Sequence, residues 1–125
     1  MTRYYYTDPL AAAWMCKHHK ILLTTEESDF IYNDWMDILE LHVDDCYRGK
    51  YYIHPDSLPI LEPMVGDLVN HDEYFIWETG QSKQYIDAHF FGLDKDGNNL
   101  PNFWGCSRVI RRGGKAFMWP ESEEV

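Results

Sequence analysis

Six side chains could in principle ligate a soft metal: Cys16, His18, His19, His42, Cys46 and Cys106. Structural zinc sites announce themselves by paired spacing, Cys-x2–4-Cys or His-x3–5-His. Only His42 and Cys46 come near it, so the thiols read as small buried hydrophobes and no metal or other cofactor is expected. Cys106 with His89 would supply a nucleophile and a base. Neither a nucleophile elbow nor a phosphate-cradling glycine loop accompanies them, and no catalytic residue is assigned. Asp94-Lys95-Asp96-Gly97-Asn98 opens like a calcium loop. The twelfth position from Asp94 is Gly105, where an EF-hand needs an acid, so a plain turn is expected. His54-Pro55-Asp56 spells the loop tripeptide of co-chaperone J domains without the long helices on either side. A turn in which Asp56 or Ser57 caps backbone N–H groups is the expectation.

Charge is more informative. Twenty-one Asp and Glu against eleven Lys and Arg leave a formal charge of −10. Phosphates repel such a chain, so direct nucleic-acid binding is not expected. The basic cluster Arg108, Arg111, Arg112 and Lys115 reads either as a hairpin that contacts nucleic acid or as charge guarding a hairpin edge, and the total charge favours the second. Residues 26–45 hold eight acidic side chains and no Lys or Arg, with Phe30, Tyr32, Trp35 and Met36 among them. Such a stretch is either a solvated face or a surface that meets a basic partner. The candidate partner-binding residues are Glu26, Glu27, Asp29, Tyr32, Asp34, Trp35, Asp37, Glu40, Asp44 and Asp45.

These residues need a frame, and 125 residues with 45% apolar content suffice for a single domain with its own core. No apolar run approaches the ~20 residues of a membrane span. No leader pattern opens the chain, and three scattered cysteines suit a reducing compartment, so a cytoplasmic protein is expected. Tyr4–Tyr6 reads as a short strand or an anchoring aromatic arm. Thr7-Asp8-Pro9 is a helix start, with an acceptor as N-cap and Pro at the first helical position. In the helix that follows, Leu10, Ala13, Trp14 and Lys17 share a face, which is expected to lay Leu10 and Trp14 on a sheet. Leu39, Leu41 and Val43 alternate with Glu40, His42 and Asp44, the period of a half-buried strand, with a turn through Asp44–Gly49 into Lys50–Ile53.

Tyr51–Gly66 is the most constrained path, since three prolines in nine residues fix φ and bias their predecessors away from helix. A strand stops at His54, a turn passes Asp56-Ser57, and Val65–Val69 leads into another strand. Glu73–Glu78 and Gln84–Phe91 are further β-prone runs around a turn at Thr79–Ser82. Ser107–Arg111 and Lys115–Trp119 flank Gly113-Gly114, a hairpin signal. Glu121–Val125 reads as a frayed acidic tail. The sum is an α+β domain: an N-terminal helix packed on a curled, mostly antiparallel sheet.

Three segments, Tyr4–Met15 (YYYTDPLAAAWM), Tyr51–Asp67 (YYIHPDSLPILEPMVGD) and Val109–Glu121 (VIRRGGKAFMWPE), resemble a group of small phage and prophage accessory proteins of unknown function. They cover about a third of the chain. The resemblance implies a phage product inside a bacterium and carries over no catalytic residue. Combined with the acidic stretch, it gives the leading expectation. That is a non-enzymatic, anti-CRISPR-like inhibitor of a host nucleic-acid-handling protein, such as a CRISPR effector or nuclease with a basic surface. The alternatives are a structural or regulatory phage protein that self-associates through its aromatics, with a homodimer as one form, and a small enzyme.

Overall fold

A computed structural model describes residues 1–76, 82–91 and 107–125. In chain order the elements are β1 (Thr2–Tyr6), α1 (Pro9–His19), β2 (Leu23–Thr25), α2 (Trp35–Val43), β3 (Tyr51–Ile53), a 3-10 helix (Pro55–Leu61), β4 (Leu68–Ile76), β5 (Ser82–Phe90), β6 (Ser107–Arg112), β7 (Lys115–Ala116) and β8 (Glu121–Glu124). The α+β class expected from the sequence is what the structure has, its strands paired antiparallel in two four-stranded sheets. The chain divides into two compact units, Met1–Ile60 with Met118–Val125, and Leu61–Phe117.

In the first unit the sheet order is β2-β3-β1-β8. Glu121–Val125 is therefore no frayed tail: Thr2 faces Glu124 and Tyr5 faces Glu121 in register. The acidic composition concealed the strand, because exposed side chains on an edge strand carry no apolar alternation. Helix α1 starts as its sequence dictates, with Asp8 Oδ1 accepting from the Leu10 amide at 2.9 Å and Pro9 in the first turn. It stops at Lys20, in the left-handed conformation at φ 59°, with Lys17, His18 and His19 favourably placed at its negative end.

The expected facing of α1 is corrected. Its buried residues are Ala11, Ala12, Ala13, Met15 and Cys16, whereas Leu10 is 68% and Trp14 38% exposed. Leu10, Trp14 and Lys17 form the outward stripe, and Trp14 lies against the His18 ring with centroids 3.9 Å apart. Lys17 was the signal: a helix apolar nearly all round turns its charged position to water, and small Ala side chains let it approach α2 and β1 closely. The expected strand over Leu39–Val43 is also corrected, because Trp35–Val43 is α2. Asp34 caps that helix, its Oδ1 accepting from the Met36 amide at 2.9 Å, and a cap outweighs a short accidental alternation. The hairpin partner of β3 is consequently absent, and β3 pairs instead with β1 and β2.

Between β3 and β4 the proline-rich path is a 3-10 helix, and Ser57 Oγ accepts from the distant Leu22 amide at 2.8 Å. Gly49 is required by close approach, since a Cβ there would strike the Tyr47 ring and hydroxyl, which donates to the Lys50 carbonyl at 2.6 Å.

In the second unit β4 lies between β5 and β6, in the order β5-β4-β6-β7. Both glycines of the β6–β7 turn have positive φ, 61° and 75°, the demand that Gly-Gly meets. The fully buried Val69 and Val109 oppose each other across β4 and β6. Asp67, 4% exposed, receives Arg112 in a fork, Nε to Oδ1 at 3.0 Å and Nη2 to Oδ2 at 2.6 Å. The Met64 amide donates to the same Oδ2 at 2.9 Å. Burial of the carboxylate is tolerable because its oxygens are satisfied. Arg112 thus has a structural task, and Arg111 donates to the Gly114 carbonyl at 2.9 Å. The Asp94–Asn98 loop, Cys106 and the turn at residues 79–81 lie outside the described residues.

Met15 is wholly buried and Trp14 is not. Met15→Ala is expected to cost ~2–5 kcal/mol and Trp14→Ala clearly less, in thermal or urea unfolding. A larger loss from Trp14→Ala would mean that the indole, not the thioether, anchors α1. A second contrast concerns tyrosines. Tyr51 Oη is buried with no hydrogen-bond partner among the described residues, whereas Tyr6 Oη donates to the Met118 carbonyl at 2.7 Å. Tyr51→Phe should leave the melting temperature unchanged or raise it, and Tyr6→Phe should lower stability by ~0.5–1.5 kcal/mol.

Candidate functional site

Residues 26–45 leave the end of β2, close a loop on its edge, and run through α2. The loop closes because Tyr32 and Leu23 exchange backbone hydrogen bonds, at 2.7 and 3.0 Å. Ser28 Oγ accepts from the Phe30 amide at 3.0 Å and turns the loop tip. Phe30 then meets the half-buried Tyr32 ring edge-on, centroids 4.7 Å apart. The loop tip is exposed, including Glu27, Asp29, Phe30 and Ile31.

Helix α2 buries Ile38 completely. By helical periodicity Met36, Asp37, Glu40, Val43 and Asp44 fall on the opposite side. Of these, Met36 is 52% and Val43 67% exposed, beside exposed Glu40 and Asp44. The face is therefore mixed, apolar and acidic. Beyond it Asp45 is exposed and Cys46 takes φ 54°. Arg48 then folds back to donate to the His42 carbonyl at 2.8 Å, closing the helix end. Burial first, and then the carboxylates of Asp45, Asp37 and Glu27, push the Tyr32 phenol above its ordinary pKa.

Not every sequence-derived candidate is free surface. Asp34 is the N-cap of α2. Trp35 is half-buried with the Lys17 ammonium 4.8 Å from its ring centroid. Glu26 accepts from the Tyr52 hydroxyl at 2.5 Å, which also donates toward Glu123 at 2.9 Å. Glu27, Asp29, Asp37, Glu40, Asp44 and Asp45 form no ion pair among the described residues. Ile31 and Val43 join this surface without a signal in the charge pattern, and the alternation of Leu39, Leu41 and Val43 gives Val43 the look of a strand residue. A helical wheel over residues 35–43 would have put it beside Met36.

Among the described residues no group of three or more His, Cys, Asp or Glu is placed to hold a metal ion. Cys16 is buried and donates to the Ile21 carbonyl at 3.2 Å. Burial, followed by the Asp34 carboxylate, pushes its thiol up to about 12, which leaves it without nucleophilic character. No described helix is long and apolar enough to cross a membrane.

The site is tied to the sheet where the Tyr52 hydroxyl donates to Glu26, and beside it Lys50 and Glu123 pair at 2.9 Å. The Lys50 and Tyr52 hydrogen bonds hold the Glu123 carboxyl below its ordinary 4.5. A lowered carboxylate contributes stability above its unfolded value and loses it as pH falls through the folded one. Acid unfolding followed by circular dichroism below pH 4.5 should therefore be steeper in the parent than in Glu123→Gln. Identical slopes would show that the pair carries no stability.

Comparison of the chain with protein-family models, curated proteins and solved structures finds no match.

Proposed function

We propose that this protein is a non-enzymatic binding protein. It docks a basic, nucleic-acid-handling host protein through residues 26–45 and blocks it in the manner of an anti-CRISPR inhibitor. The observation that carries the reading is the placement of Phe30, Ile31, Met36 and Val43, each 43–67% exposed, among carboxylates that form no ion pair among the described residues. Carboxylates at that density steer a basic partner and occupy positions its groove reserves for phosphates. The apolar side chains supply the desolvated contact that charge alone does not. The resemblance of three segments to phage accessory proteins directs the choice of partner toward host defence, such as a CRISPR effector or nuclease.

The reversal Glu40→Lys/Asp44→Lys/Asp45→Lys tests this without damaging the fold. All three side chains are exposed, near the C-terminal end of α2 where cations are favoured. Asp34→Lys is unsuitable because losing its cap costs ~1 kcal/mol by itself. The triple variant is expected to unfold within ~0.5 kcal/mol of the parent. In parallel pulldowns from bacterial lysate, the parent should retain a basic nucleic-acid-binding protein that high salt releases, and the variant should not. Equal retention by both would remove residues 26–45 from the interface.

A further inference from the structure

A cleft of about 220 Å³ lies where the end of β1, the first turn of α1 and the segment entering β8 meet. Its walls include Tyr6, Ala11, Met118 and Trp119, and Asp8 and Glu121 border it. The wall is held firmly. Tyr6 Oη donates to the Met118 carbonyl at 2.7 Å, and the Met118 amide donates to Met15 Sδ at 3.3 Å. Ala11 is small enough to leave the space open. Both carboxylates are exposed, and among the described residues no Lys, Arg or His lines the cleft.

A lining of ring, thioether and methyl bordered by two acidic residues suits a long aliphatic stem ending in a cation. The volume is below the ~300–1,000 Å³ of small-molecule pockets and fits a single side chain. One term opposes a cation, the positive end of the α1 macrodipole, equivalent to about half a charge. Two carboxylates outweigh it, and Asp8 Oδ1 already accepts from the Leu10 amide at that end.

We infer that this cleft takes a lysine or arginine side chain of a protein partner. The site shares no residue with the 26–45 surface, and it holds whether or not that surface is the interface. It would add an anchoring subsite to a protein otherwise described by its field.

The test is an NMR titration of the Trp119 indole N–H, identified by its loss in Trp119→Phe. The titrants, at matched ionic strength, are the Nα-acetyl methylamides of lysine, arginine and norleucine, the last sharing the stem without the charge. A saturable shift with lysine or arginine, in the millimolar range expected of one side chain, and none with norleucine, is the supporting result. Glu121→Gln should then weaken binding several-fold. Asp8→Asn should do the same while preserving the helix cap, which separates lost charge from a lost fold. No saturable shift, an equal response to norleucine, or parental binding by both variants would overturn the inference.

Discussion

One phenolic proton stands between two carboxylates. The Tyr52 hydroxyl lies 2.5 Å from Glu26 and 2.9 Å from Glu123, and it can serve only one of them at a time. Two acids so close to one buried ring are tolerable only with positive charge nearby. Lys50 supplies it at Glu123, and the Arg3 guanidinium lies 3.7 Å from the Tyr52 ring centroid. Lys50 also sits 4.5 Å from the Tyr5 ring centroid, beside Tyr52. This cluster joins β3, β1 and β8 to the first residue of the acidic segment. It explains why so acidic a C-terminal segment is a strand: Glu123 has a base and a donor to reach, and Glu124 accepts from Thr2 Oγ1.

What was legible in the sequence was what a few residues decide locally. Asp8-Pro9 had to start a helix, Gly113-Gly114 had to turn, and Ser57 was a capping side chain whichever amide it found. What was not legible depended on distant partners. The size of Leu10 and Trp14 points them inward, yet α1 makes its contact through small residues, Ala11, Ala12 and Ala13, with Met15. Leu39, Leu41 and Val43 alternate as a strand would, but the same residues read equally as a helix once Asp34 is recognised as its cap. The strand β8 was invisible because its pairing is with the opposite end of the chain. The acidic segment was found from composition alone. Composition did not separate its structural members, Glu26, Asp34 and Trp35, from its exposed ones.

The bases of the first unit are largely spent inside it. Arg3 covers Tyr52, Lys17 lies over Trp35, Arg48 holds two carbonyls near the end of α2, and Lys50 pairs with Glu123. With eleven bases against twenty-one acids, the negative balance has to appear somewhere on the surface. It appears most densely on residues 26–45.

Placement of that charge runs against local physical chemistry. A helix favours anions at its N-terminus and cations at its C-terminus, each worth about 0.3–1 kcal/mol. Asp34 and Asp37 obey this rule at the start of α2. Glu40, Asp44 and Asp45 break it near the other end, where His42 is the basic residue of the last turn. Arg48 relieves the exposed carbonyls by hydrogen bonding. No ion pair offsets the three carboxylates among the described residues. Met36 and Val43 compound the departure by placing apolar surface in water on the same helix. Local rules broken together without a compensating contact among the described residues are expected where a surface serves something outside the fold, and this supports the proposal that α2 and the loop before it form a docking surface.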